Sequence, residues 1–329
     1  MRWTLDRDVF TFPAVADGRL YLGDEHGTVF ALGVADGEEQ WAFETDDWVY
    51  SAPAVSDGTV YVASSDGNLY ALDAQTGDKR WRQQPAMGSS PTVVDGTVYI
   101  VDWGGNVHAL DAETGKKRWR FKGLDEAPYA PAVTDGTVYA LSTRRYLYAL
   151  DAETGDERWR FDIGEHDGGI RKGDWRYIAR AATTAGPTVA DGTVFFGSDD
   201  GNLYAVDAET GDLRWRFDTG AWVRSAPAAV DGTVYFGSQD ENVYALDTAT
   251  GEKQWAFDTS WLVNCNPAIA DGTLYVGNRG SNVYALDLDR GTKQWQLSVG
   301  DETHLDTGVV VAGESLYAAS GKVIAVGPE

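Results

Sequence analysis

Pro53-Ala54-Val55-Ser56-Asp57-Gly58-Thr59-Val60-Tyr61-Val62-Ala63-Ser64-Ser65-Asp66-Gly67-Asn68-Leu69-Tyr70-Ala71-Leu72-Asp73-Ala74-Gln75-Thr76-Gly77-Asp78-Lys79-Arg80-Trp81 reads as four short strands joined by three turns. The run around Pro53-Ala54-Val55 is the first strand, and its proline suits a sheet edge because proline has no N–H to donate. Asp57-Gly58 is the favoured pair where both central residues of a tight hairpin need positive φ. Thr59 to Ala63 and Asn68 to Asp73 alternate apolar and polar residues at a period of two, as strands do. Ala74-Gln75-Thr76-Gly77 then turns the chain into a fourth strand, which holds Trp81.

The unit recurs along the whole chain, and such recurrence is the first feature to seek in a sequence. Its tryptophans fall at Trp3, Trp41, Trp81, Trp119, Trp159, Trp215, Trp255 and Trp295, with spacings of 38, 40, 38, 40, 56, 40 and 40. The Asp-Gly pairs begin at Asp17, Asp57, Asp95, Asp135, Asp191, Asp231 and Asp271, and Gly313-Glu314 is a degenerate eighth copy. A four-stranded sheet with two apolar faces must bury both, and radial packing of twisted sheets does so. A tryptophan is large enough to fill the gap between neighbours. The expected fold is all-β: an eight-bladed β-propeller with four antiparallel strands per blade. Val309 to Val326 supplies three strands of the last blade and Arg2-Trp3-Thr4-Leu5 the fourth, a 3+1 clasp of the C-terminal strands with the N-terminal strand. Seven blades would orphan one of these segments. Residues 1–329 are read as one propeller domain, with a 16-residue loop insertion inside 160–186, between blades 4 and 5.

Composition narrows the function classes. Fifty-one acidic against 27 basic residues give a net charge of −24. This disfavours nucleic acid, whose phosphates need a basic footprint. Eight lysines against nineteen arginines, in so acidic a chain, match a halophile's surface, where salt screens self-repulsion. An ordinary acidic protein with acidic turns is the alternative. Cys265 is the only cysteine, so no intrachain disulfide is possible. No segment approaches the ~20 apolar residues of a membrane-spanning helix. The N-terminus carries no apolar leader and begins directly on the clasp strand. The expectation is a soluble monomer, extracytoplasmic if a leader was removed and otherwise cytoplasmic.

The run Ala112-Glu113-Thr114-Gly115-Lys116-Lys117-Arg118-Trp119 resembles the Ala-x-Thr-Gly-x-x-x-Trp repeat of the quinoprotein (PQQ-like) propeller family. Further copies stand at Ala74 to Trp81, Ala152 to Trp159 and Ala208 to Trp215, and Thr248 to Trp255 differs only at its first residue. The resemblance covers the whole chain and is specific for fold. It points to two groups: the quinoprotein alcohol and sugar dehydrogenases, and the compact non-enzymatic propellers typified by the outer-membrane assembly lipoprotein. The dehydrogenases are usually longer, and many carry adjacent cysteines over the cofactor, which a chain with Cys265 alone cannot. Neither a c-type haem motif nor a lipid-anchor cysteine is present. No cofactor is therefore expected, and PQQ with Ca²⁺ remains the alternative. The expected function is a non-catalytic scaffold. A quinoprotein dehydrogenase and a carbohydrate- or polymer-binding module are the alternatives.

The repeats act as their own control. One face should carry the nearly uniform Asp-Gly and Glu-Thr-Gly turns, and the other the variable turns between second and third strands together with the blade-to-blade crossovers. Variation among copies marks where function is grafted. Three residues before each first-strand proline stand Phe10, Tyr50, Gly88, Pro128, Thr184, Arg224, Asn264 and, by register, Asp306, which should ring the channel mouth. Five tryptophans lie outside the repeat: Trp48, Trp103, Trp175, Trp222 and Trp261. Trp48, Trp222 and Trp261 share nearly the same repeat position and are read as covers for blade edges. Trp103 and Trp175 are idiosyncratic and better suited to ligand contact. Arg171, Lys172, Arg176 and Arg180 form a basic stretch in the insertion, and Arg144 and Arg145 lie in a turn of the preceding blade. The candidate binding residues are Trp103, Trp175, Arg144, Arg145, Arg171, Arg176, Arg224 and Tyr50, facing a protein or a small anionic or sugar ligand. Arginines paired with local acids are the competing reading. Asn264, Asn266 and Asp306 are the candidates for a cofactor or metal. The acidic turns at Asp199-Asp200 and Asp240-Glu241 are weaker Ca²⁺ candidates, and the four histidines lack metal spacing.

Overall fold

The computed structural model describes residues 2–9, 11–85, 88–124, 129–142, 146–164, 186–300, 305, 308–319 and 321–327. They form eight four-stranded antiparallel sheets. Blade 1 comprises β2 (Ala14–Ala16), β3 (Arg19–Gly23), β4 (Thr28–Gly33) and β5 (Glu39–Glu44). Blades 2 to 7 repeat this order over residues 54–83, 92–122, 132–162, 188–218, 228–258 and 268–298. Blade 8 takes β30 (Val309–Ala312), β31 (Ser315–Ala319) and β32 (Lys322–Val326) from one end of the chain and β1 (Trp3–Asp6) from the other. Trp3 pairs with Ala325 and Asp6 with Lys322. The innermost strand of blade 8 touches those of blades 7 and 1, so the ring closes.

Each Asp-Gly turn has the expected geometry. Asp57 and Gly58 have φ of 48° and 67°, and the other six Asp-Gly pairs match them. The middle strands differ from the simple alternation in the sequence. Thr59 to Ala63 is buried at every position, because a neighbouring blade covers each face of the sheet. The threonine that opens the strand keeps a polar partner at its end, as where Arg118 Nη1 donates to Thr97 Oγ1 at 2.6 Å.

The Ala-x-Thr-Gly-x-x-x-Trp run acquires a physical meaning at the blade interfaces. Trp41 of blade 1 donates its indole N–H to the Ala74 carbonyl of blade 2 at 3.0 Å, and Tyr21 Oη donates to the same oxygen at 3.1 Å. Gly77, at φ 77°, lies on the Trp41 ring so closely that a Cβ would come within 2.7 Å of it. Trp81 and Tyr61 repeat the arrangement on Ala112, and Trp119 and Tyr99 on Ala152. The alanine carbonyl and the glycine thus receive the previous blade, and the tryptophan docks on the next. A β-bulge after Ala71, repeated in blades 1 to 7, twists each outer strand beside its tryptophan. Trp295 of blade 7 is the exception, at 36% exposed against 8% for Trp119. The turn that would cover it falls at the clasp, where the third and fourth strands of blade 8 come from opposite chain ends.

Candidate binding face

The two faces separate as the repeats imply. On the turn face the Ala74 N–H donates to the Gly58 carbonyl at 2.9 Å, tying the two turns of one blade together. On the loop face each crossover is stitched to the adjoining turns. The Val49 N–H donates to the Asp24 carbonyl and the Ser65 N–H to the Trp48 carbonyl, at 3.0 and 2.7 Å. Residues at these crossings can vary because the bonds themselves use backbone atoms.

Below the loops, a hydroxyl two residues before the proline holds the first strand in blades 1, 2, 3 and 6. Ser51 Oγ accepts from the Ala63 N–H at 2.8 Å and donates to the Ala63 carbonyl at 3.0 Å. Ser225 does the same with Gly237, and Thr11 with Gly23. Tyr129 stands at this position in blade 4, where a seryl-type hydroxyl cannot form. It lines instead a small indentation together with Gly186, Ser198, Asp199, Arg224 and Ser225. Burial and the nearby Asp199 charge push the Tyr129 hydroxyl well above the usual tyrosine range. Sequence reasoning passed over Tyr129, although it is the one aromatic at a position otherwise held by Thr11, Ser51, Ser89, Ala185, Ser225, Cys265 and Thr307.

Arg224 forms a bidentate ion pair with Asp199, Nε to Oδ1 and Nη2 to Oδ2 both at 2.8 Å. The side chains are only 11% and 10% exposed. The guanidinium also lies over the Trp222 ring, 4.0 Å from its centroid. Arg224 therefore does reach the loop face near the channel, but its charge is matched by Asp199.

Tyr50 is buried, donates to the Gly88 carbonyl at 3.1 Å and packs its ring 5.5 Å from Trp103. Burial pushes its hydroxyl well above the usual range. Trp103 is half-buried in this contact, whereas Trp48 and Trp261 are 43% and 55% exposed. Trp103 is thus more covered than Trp48 and Trp261, and Trp222 is half-buried as Trp103 is. The adjoining Asp102 carboxylate is buried with His108 Nε2 at 2.8 Å. Its burial opposes ionisation, but hydrogen bonds from His108 and Asn106 outweigh this and hold it below the usual carboxylate range.

The acidic turns are built for folding. Asp66 Oδ2 accepts from Tyr70 Oη at 2.6 Å and Oδ1 from the Asn68 N–H at 2.8 Å. Asp200 with Tyr204 and Asp240 with Tyr244 are equivalent. Burial, reinforced by the Asp66 carboxylate, pushes the Tyr70 hydroxyl up to about 12. The asparagines near the channel are likewise engaged. Asn264 Oδ1 accepts from Gln239 Nε2 at 2.9 Å, and Asn266 Oδ1 accepts from the Ala226 N–H of the preceding blade at 2.7 Å. A Ca²⁺–quinone site needs such oxygens turned to the ion, whereas these two accept hydrogen bonds within the ring. Among the described residues, no group of three His, Cys, Asp or Glu is placed to hold a metal ion. Trp175, Arg144, Arg145, Arg171, Arg176 and Asp306, with the 165–185 stretch, lie outside the described residues.

Comparison with known proteins now places the chain. The pattern of the family described as outer membrane protein assembly factor BamB matches residues 2–119, 83–174 and 172–328. The chain belongs to this family. Among solved structures, BamB from Moraxella catarrhalis shares 22% identity, with a TM-score of 0.79 and 98% of each chain covered. The computationally designed Ika8 protein is 16% identical, with a TM-score of 0.82, and covers 98% of this chain and 97% of its own. A europium-containing methanol dehydrogenase is 14% identical, with a TM-score of 0.76, over 97% of this chain and 84% of its own. At these identities the likeness is one of fold, shared by a BamB, a designed ring and an enzyme alike. A search of curated protein sequences found no match. In this BamB-family chain, no helix among the described residues is long and apolar enough to cross a membrane.

Proposed function

We propose that this BamB-family propeller is a non-catalytic scaffold that holds a protein partner on its loop face. The observation that carries this reading is the contrast between its faces. Equivalent loops differ in every blade and expose Trp48 and Trp261, while the turns opposite repeat one set of contacts. Exposed tryptophans are typical anchors of protein interfaces. The name of the family, an assembly factor, agrees with a partner-binding role. The engagement of Asn264 and Asn266 within the ring favours a scaffold over a quinoprotein enzyme.

Two measurements test the proposal. Titration with PQQ and Ca²⁺ should give no saturable change in cofactor absorbance and no dye-linked oxidation of alcohols or sugars. A photoreactive residue replacing Trp261 should capture a partner that the same residue at Gly96, on the turn face, does not. Cofactor-dependent turnover, or equal capture from both faces, would overturn it.

A further inference from the structure

The crossover between blades 5 and 6 and that between blades 1 and 2 share one backbone framework and differ in a few side chains. Thr219 and Thr45 are equivalent: each hydroxyl donates to the carbonyl two residues on, Ala221 or Asp47, at 2.7 Å. Trp222 and Trp48 then follow, and each carbonyl accepts a backbone N–H from the next blade, from Gln239 and Ser65. Asp199 and Glu25 hold the same place in the preceding blade's turn. In the first crossover the residue two beyond the tryptophan is Arg224, which covers the ring at 4.0 Å and pairs with Asp199. In the second it is Tyr50, which turns away to Trp103 and the Gly88 carbonyl.

Trp48 thus keeps the aromatic and acidic parts of a guanidinium site without the resident guanidinium. Its ring is 43% exposed, and Asp46 and Asp47 stand where the other crossover has Gly220 and Ala221. Asp66 adjoins them and accepts the Asp46 N–H at 3.2 Å. Among the described residues, none of Asp46, Asp47 and Asp66 forms an ion pair. The loop is held in place, with the Asp47 carbonyl accepting hydroxyls from both Thr45 and Ser64.

We infer that Trp48, flanked by Asp46 and Asp47, receives an arginine side chain from a basic segment of a partner protein, in the manner that Trp222 and Asp199 receive Arg224. A guanidinium over an indole face gains from the ring quadrupole, and the surrounding carboxylates supply the hydrogen-bonding charge. This inference rests on the scaffold reading of the loop face and names the chemistry of one contact on it.

The test uses the full chain and an acetylated, amidated peptide of repeated Gly-Ser-Arg, with Gly-Ser-Glu as the charge-reversed probe. Binding is read by calorimetry and by the protein's tryptophan fluorescence. The arginine peptide should bind and the glutamate peptide should not. Trp48→Ala, at an exposed position, should weaken binding about two- to fivefold, as expected for losing one cation–π contact. Asp46→Asn with Asp47→Asn should weaken it as well, and Leu213→Ala, at an exposed position on the outer strand of blade 5, should leave it unchanged. Tyr50→Arg supplies the cation internally and should block the site. Equal affinity in the parent, Trp48→Ala and Tyr50→Arg would overturn the inference, leaving only general attraction to a −24 surface. Failure of the peptide while the Trp261 crosslink still captures a partner removes the arginine contact alone. Failure of both removes the scaffold reading with it.

Discussion

The turn face and the loop face are made from the same eight repeats, yet they obey different constraints. On the turn face, side chains make the bonds between blades: Trp41 and Tyr21 share the Ala74 carbonyl, and Gly77 must lack a side chain to admit the indole. Changing any of them disturbs an interface. On the loop face much of the stitching is done by backbone N–H and C=O groups, with hydroxyls such as Thr45 and Ser64 recurring between them, so the remaining side chains can diverge. Uniformity and variability follow from which atoms carry the contact. Blade 7 tests this within the molecule, since Trp295 lies where the clasp interrupts the turn and is more exposed than its counterparts.

The contrast breaks most visibly at a docked tryptophan. Trp119→Ala should cost about 3–5 kcal/mol in urea unfolding, the range for removing a large buried aromatic. Gly155→Ala should also destabilise strongly, because its φ is 78° and the added Cβ would lie 2.6 Å from the Trp119 ring. Trp295→Ala should cost clearly less than Trp119→Ala; equal costs would refute the account of the clasp.

A largely buried ion pair on the loop face comes next. Asp199→Ala leaves the Arg224 guanidinium largely buried without its counter-charge and should cost about 2 kcal/mol, below the ~3–5 typical of fully buried pairs. Adding Arg224→Leu should recover part of that loss, and a double-mutant cycle measures the coupling.

A smaller effect separates the blades by pH. The Arg80 guanidinium beside Asp73, with backbone N–H bonds from the turn, lowers its carboxyl to about 2, and Asp111, Asp151 and Asp207 with Arg118, Arg158 and Arg214 behave alike. Because the folded values lie below the unfolded value of ~3.9, this stability is present above pH ~4 and is lost as pH falls toward 2. Replacing these four arginines by glutamine, the residue at Gln254 and Gln294 in blades 6 and 7, should preserve the fold and flatten the acid limb. Acid unfolding followed by circular dichroism checks this, and an unchanged limb would count against the pairs. The smallest effect belongs to the exposed loop tryptophans. Trp48→Ala and Trp261→Ala should change stability by no more than ~0.5 kcal/mol, the usual range for surface positions.

Much of the ring was legible because each repeat states its own local chemistry. Asp57-Gly58 requires two positive φ values, and Trp81 recurs at the blade spacing. The Trp3 strand could be placed because the last copy lacks a fourth strand. The binding face was legible as a place but not as a site. Its separation from the turn face followed from the repeats, whereas the partners of Arg224, Asn264 and Asn266 come from neighbouring blades 25 to 40 residues away. Exposure was the least legible property. Trp103 is idiosyncratic in sequence yet half-buried against Tyr50, and Trp48 shares its position with Trp222 yet stands open.

The sequence by itself determined the eight-bladed ring, its clasp and the division into a uniform and a variable face, because turns, strand period and repeat length are local and recur. Only the tertiary structure decided which variable side chains are committed. Arg224 is matched by Asp199 and stacked on Trp222, while at the equivalent place beside Trp48 stands Tyr50, turned to the next blade. That distinction depends on contacts between blades, which no single repeat encodes.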